Sequence, residues 1–95
     1  MESEKATEAY LVAQVKALGG WAIKIPAGFF AGFPDRAVLM PRGRVYFAEL
    51  KSEGKKPTPI QLKCHERLRG LGFGVWVIDT KQGVRDFLEF IQLLS

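Results

Sequence analysis

Two carboxylates and a lysine, Asp35, Glu49 and Lys51, stand in the stretch GFPDRAVLMPRGRVYFAELK that runs from Gly32 to Lys51 and is otherwise largely apolar. Charges at the mouth of a core sheet are costly unless something compensates them. Pro41-Arg42-Gly43 suits a three-residue hairpin loop, with Pro pre-set for the first turn position and Gly for the left-handed one. Met40 then faces Arg44, and the same register sets Asp35 opposite Glu49, with Cβ atoms about 4.5–5.5 Å apart. Carboxylates that close repel if both ionise. A Mg²⁺ ion between them removes the conflict, because hard cations take oxygen ligands. The carbonyl of Leu50 is a further candidate ligand. Lys51 lies two residues past Glu49 and so shares its face of the strand. A cation there can orient a water, help to deprotonate it, or stabilise charge on a phosphate. A two-residue turn would aim Glu49 at the other face, so the pairing depends on the turn type. The competing explanation is an ordinary cross-strand ion pair on an exposed face.

More groups can reach the same place. Glu4 and Glu8 lie at the start of the first helical pattern, and either could add an acidic ligand. Acidic residues also favour helix N-termini through the macrodipole alone. Gln61 stands three residues after Thr58, where it serves either as a capping-box partner or as a site residue. One amide rotamer is not expected to serve both fully.

The elements that must position these groups follow from pattern and punctuation. Ser3 to Leu18 reads as a helix with Glu4, Glu8, Leu11, Val15 and Leu18 on one stripe, stopped by Gly19-Gly20. Trp21 to Ile25, Arg36 to Met40 and Arg44 to Lys51 read as strands, with PAGFFAGFP (26–34) a loop between the first two. After a basic loop, Thr58 as N-cap and Pro59 at the first position open a second helix, with Ile60, Cys64, Leu68 and Leu71 inward. Val75 to Asp79 is a buried strand, and a last helix turns Val84, Phe87, Leu88, Ile91 and Leu94 to the core. The order αβββαβα, with a crossover long enough for a parallel third–fourth strand pair, predicts a small α/β fold with a mixed central sheet flanked by helices.

Composition bounds the rest. At 95 residues, 47% apolar and 25% charged, the chain is one globular domain spanning residues 1–95. A core of this size is modest, so a partner chain adds useful burial. The net charge of +4 permits an anionic partner. One cysteine, Cys64, excludes an internal disulfide, and one histidine, His65, leaves too few ligands for a Cys/His zinc site. No apolar run reaches the ~18 residues of a membrane span, and MESEKATEAY is not a signal peptide. An intracellular, cytoplasmic protein is expected.

GFPDR, FAELK and PTPIQ together resemble the PD-(D/E)xK nuclease pattern. The ordered set, with LGG after the first helix, GKKPTPIQ and the closing GFGVWVIDT, is more narrowly similar to standalone VRR-NUC (virus-type replication-repair nuclease) domains, many of them phage-encoded. The resemblance implies a restriction-endonuclease-like, resolvase-like fold and Mg²⁺- or Mn²⁺-dependent phosphodiester hydrolysis. It casts Asp35, Glu49 and Glu4 as metal ligands, Lys51 as the catalytic lysine and Gln61 as the motif glutamine. It further implies a homodimer acting on branched DNA such as the four-way (Holliday) junction, in the host cytoplasm for a phage protein. Arg36, Lys55, Lys56 and Lys63 are then the candidates for phosphate contacts. Phe29-Phe30 departs from the polar or basic loop expected before GxPD; one of the two is expected to be exposed, facing DNA or a partner. The rival readings are a flap, nicking or restriction-like nuclease, and a basic nucleic-acid-binding module without catalysis.

Overall fold

The computed structural model describes residues 1–94; of the expected domain, only Ser95 lies outside them. The elements are α1 (Glu4–Ala17), β1 (Trp21–Lys24), β2 (Arg36–Met40), β3 (Arg44–Leu50), α2 (Pro59–Gly70), β4 (Gly74–Ile78) and α3 (Lys81–Leu93). They form one four-stranded sheet in the order β1-β2-β3-β4, antiparallel except for the parallel pair β3–β4. This is the α/β fold with a mixed sheet that the element order predicts.

Local chemistry sets most element ends. The Ser3 hydroxyl accepts from the Ala6 amide and so caps α1, while the Thr58 hydroxyl and the Gln61 side chain form a reciprocal capping box on α2. Alternation along the strands separates two cores. Val38, Met40, Ala48 and Leu50 pack with Leu11 and Val15 of α1 and with Val84, Phe87, Leu88 and Ile91 of α3. Phe47 and Val75, on the other face, pack with Cys64 and Leu68 of α2 and with Phe33. Glu49 shares the parity of Phe47, so its side chain falls under α2.

Four apolar assignments are corrected. In α2 the buried residues are Cys64, His65 and Leu68, while Ile60 and Leu71 are 59% and 71% exposed. The helix is rotated so that an imidazole, not an isoleucine, lies beneath it. Leu94 and Leu18, also expected inward, sit at helix C-caps and are 59% and 38% exposed.

The hairpin register is the one the three-residue loop requires: Met40 pairs with Arg44 and Arg36 with Ala48. Gly43 takes the expected left-handed conformation, but Arg42 does too, at φ 71°. A non-glycine residue there costs about 1–2 kcal/mol. Arg42→Gly is therefore expected to stabilise the protein by about 0.5–1 kcal/mol, the gain being trimmed by the extra freedom of glycine in the unfolded chain. The β-branched Arg42→Val should lose at least as much. Urea unfolding midpoints at constant m-value test both, and a valine variant as stable as the parent contradicts the assignment.

Candidate active site

A cleft opens where the N-terminal ends of α1 and α2 overhang the sheet, between them and the 26–34 loop; Glu4, Glu8, Asp35 and Gln61 line it. Gly32 makes the close fit on the α2 side. It has φ 81°, and a Cβ there would lie 2.5 Å from the Ile60 carbonyl oxygen. Any side chain at this position would push the loop off the helix.

Glu49 is the centre of the site. Only 2% of it is exposed. Its Oε2 accepts from Gln61 Nε2 at 3.1 Å and lies 3.7 Å from Lys51 Nζ. Burial pushes its carboxyl up to about 8, and the neighbouring Asp35 adds to the rise; Lys51 opposes it, and Glu4 contributes weakly in the same direction as Asp35. Asp35 stands just before β2, and its Oδ2 accepts the Leu50 amide at 2.8 Å, tying the ends of β2 and β3 together. The antiparallel hairpin thus brings the two carboxylates, the Leu50 backbone and Lys51 to one place.

Gln61 serves both of its candidate roles at once, contrary to expectation. Its Oε1 accepts from the Thr58 amide at 2.9 Å while its Nε2 donates to Glu49. An amide has an acceptor end and a donor end, and the helix start lies above Glu49, so one rotamer satisfies both.

The two helix-one acids separate. Glu8 Oε2 binds Arg36 Nε at 2.8 Å, and Arg36 Nη1 also donates to the Ala22 carbonyl at 3.0 Å. Arg36 is thereby a cation that joins α1 to the sheet. Glu4 is exposed at the cleft and carries no such partner role for Arg36.

The exposed lysines occupy two rims. Lys55 and Lys56 stand on a loop fixed from both sides: the Gly54 amide donates to Asp79 Oδ2, and the amides of Glu2 and Glu53 exchange bonds with each other's residue. Glu2 also accepts the Lys81 amide at the start of α3. Lys63 lies on the exposed face of α2, beside Phe30. Both loop aromatics are exposed, Phe29 by 64% and Phe30 by 55%, where one was expected to be. Phe29 is held edge-on by Phe33, Phe33 by Phe47, and Phe47 by Phe73, at centroid distances of 5.4, 5.5 and 5.6 Å.

His65 is the site residue that sequence reasoning passes over. It is fully buried, with Nε2 3.6 Å from Glu49 Oε1. Burial, with Arg69 and Lys51, holds its pKa below the ordinary value, so the ring is neutral. The signal was its spacing: four residues after Gln61, it lies on the same helix face. Cys64, next to it, is buried and its thiol is pushed up by desolvation, which makes it a packing residue and not a nucleophile.

No protein-family model matches the chain. It is 44% identical over 78 residues to "Putative nuclease p44" of Acyrthosiphon pisum secondary endosymbiont phage 1, an alignment that covers 82% of this chain and 84% of that protein. It is similar to a solved structure described as "VRR_NUC domain", with a TM-score of 0.85 and 36% identity over 94% of this chain and 97% of that one.

Proposed function

The chain belongs to the VRR_NUC domain family, and from that premise we propose that it is a metal-dependent, structure-selective endonuclease that hydrolyses phosphodiester bonds of four-way DNA junctions. The observation that carries the reading is Glu49: a carboxylate buried beside Asp35, contacted by Gln61 and Lys51, under a cleft with acidic walls.

The donor chemistry fits a hard divalent cation. Asp35 adds to the cost of ionising the buried Glu49, so the pair is packed with less positive charge than it needs. Among the described residues no set of three His, Cys, Asp or Glu side chains is arranged as a metal site. Mg²⁺ does not require one, because it binds through one or two carboxylates and keeps several waters. Asp35, Glu49 and the Leu50 carbonyl would hold Mg²⁺ or Mn²⁺, with Glu4 reaching in from α1. When bound, such a cation lowers the pKa of water and offsets charge on the phosphoryl oxygens.

The chain's own residues do the rest. Lys51, on the same face as Glu49, orients the attacking water and stabilises negative charge on the phosphate. Gln61 keeps Glu49 Oε2 in place from the helix side. Lys55, Lys56 and Lys63 contact backbone phosphates, which gives recognition by shape with little sequence preference. As for a phage-encoded protein, its substrate would be DNA in the host cytoplasm. Among the described residues no helix is long and apolar enough to cross a membrane.

Cleavage of matched four-way junction, flap, nicked and linear duplex substrates, with Mg²⁺ and with EDTA, tests the proposal. Metal-dependent cutting of the junction in preference to the others is expected. Preferential cutting of flaps or nicks would move the substrate, and binding without cutting would leave a DNA-binding module.

A junction offers two symmetry-related strands, which a two-fold homodimer meets with one site each. The Phe29-Phe30 loop supports this assembly, since both rings are exposed, Phe29 against Phe33 and Phe30 at the wall of the cleft. Phe29→Ala/Phe30→Ala is expected to weaken dimerisation or junction binding about tenfold or more while the fold survives, because large buried aromatics dominate such contacts. Sedimentation at micromolar concentration and a junction titration read this out. A monomeric wild type rejects the dimer, and unchanged assembly and binding in the variant reject the loop's role.

A further inference from the structure

Two buried side chains beneath α2 carry polar atoms without a hydrogen bond, and these atoms face each other. Both ring nitrogens of His65 and Oε1 of Glu49 are without a partner, and Nε2 stands 3.6 Å from Oε1. Leaving such a group unmet is destabilising, and folded proteins contain few of them. An aliphatic residue at position 65 would continue the buried stripe of Cys64 and Leu68 without that cost. The imidazole therefore has a reason to be there, and Glu49 is the carboxylate within its reach. Their separation is about half an ångström too long for a hydrogen bond. The terminal torsion of a glutamate is soft, so a small turn of the carboxylate closes the gap.

That same softness is the problem His65 solves. Oε2 already has Gln61 Nε2 at 3.1 Å and Lys51 Nζ at 3.7 Å on its side. Donors on one side alone leave the carboxylate plane free to swing. A donor on the opposite oxygen fixes it, as hydrogen bonds to ligating carboxylates commonly do.

We propose that His65 is a positioning residue for Glu49: as the neutral imidazole with its proton on Nε2, it donates to Oε1 and keeps Oε2 on the side of Gln61 and Lys51. Its use in catalysis rests on the nuclease reading above; the contact itself does not.

His65 is the chain's one histidine, so long-range ¹H–¹⁵N spectra of the wild-type protein report it without ambiguity. Above about pH 8, where Glu49 is ionised, a neutral ring with its proton on Nε2, protected from exchange, is expected. A proton on Nδ1 overturns the proposal, and this measurement decides it even if a variant fails to fold. Mn²⁺ titration of His65→Leu and His65→Gln supplies the second readout. The leucine variant should bind Mn²⁺ about ten- to a hundredfold more weakly, and glutamine, which keeps an N–H donor, should recover most of the loss. Unchanged affinity in the leucine variant, or equal losses in both variants, shows a packing role only and overturns the proposal. A wild type that neither binds Mn²⁺ nor cuts any substrate defeats the nuclease reading instead, and the spectra still decide whether His65 holds Glu49.

Discussion

Glu49→Gln is expected to abolish cleavage and, without metal, to make the protein more stable. On the catalytic side the loss should exceed the roughly 10²–10³-fold seen when a single transition-state donor is removed from an enzyme, because the change disables the central one of the carboxylates proposed to hold the cation. On the stability side the sign follows from the raised pKa. Glu49 has an ordinary value of 4.5 and a folded value of about 8. Between the two, the folded state holds a proton that the unfolded state has released, so metal-free stability falls as pH rises through that window. Glutamine does not titrate and keeps its place beside Gln61. The variant's advantage should thus be absent below about pH 4, grow across the window and level off above about pH 8.

Each pKa unit corresponds to about 1.4 kcal/mol. A gain of about 2 kcal/mol, well within the shift, moves the thermal midpoint of a domain this small by roughly 8–16 °C. Asp35→Asn should act in the same direction but less, since burial is the larger cause of the shift and Asp35 the smaller. Addition of Mg²⁺ should then stabilise the wild type at high pH and leave Glu49→Gln unmoved, by preferential binding to the folded state. Thermal unfolding from about pH 4 to 9, with and without Mg²⁺, together with junction cleavage, checks all of this. A variant that cuts at the wild-type rate removes Glu49 from the site, and a stability gap independent of pH removes the carboxylate argument.

Lys51→Ala should slow turnover by about 10²-fold or more while changing junction affinity by less than about threefold, because one ammonium is a small part of phosphate binding. Lys51 also opposes the rise in Glu49's pKa, so its loss should raise that pKa further and shift the metal-free stability window upward. Lys55→Ala/Lys56→Ala should do the reverse. These side chains are exposed, on a loop pinned by Glu2 and Asp79, and neither is paired with Glu49. Their removal should weaken binding and make the plot of log K against log salt shallower by up to about 1.8, two contacts' worth of released counterions, with bound-state turnover nearly unchanged. Single-turnover rates at saturating protein and affinities over a salt series separate the two. Equal effects of both changes on rate and affinity would refute the division between chemistry and binding.

Whatever was written in local rules could be read without the structure. The Thr58 cap, the Pro41-Gly43 turn and the alternation of Arg36–Met40 and Arg44–Leu50 each act within a few residues. The turn length fixed the register, and the register brought Asp35 toward Glu49, so the heart of the candidate site was legible as soon as the hairpin was. What lay beyond reach depends on how distant elements lean on one another. The pattern of α2 fits more than one rotation, since Ile60 and Leu71 are as apolar as Cys64 and Leu68; docking on the sheet chose the face that buries His65. Gln61's double bond needs the helix start placed above Glu49, and Arg36's capture by Glu8 needs α1 laid across the sheet. Burial itself is a tertiary quantity. The sequence by itself determined which carboxylates would meet, and only the packing of α2 over them decided that Glu49 would be dry, protonated up to about pH 8 and faced by an imidazole, because desolvation is set by everything packed around a charge and not by its neighbours in the chain.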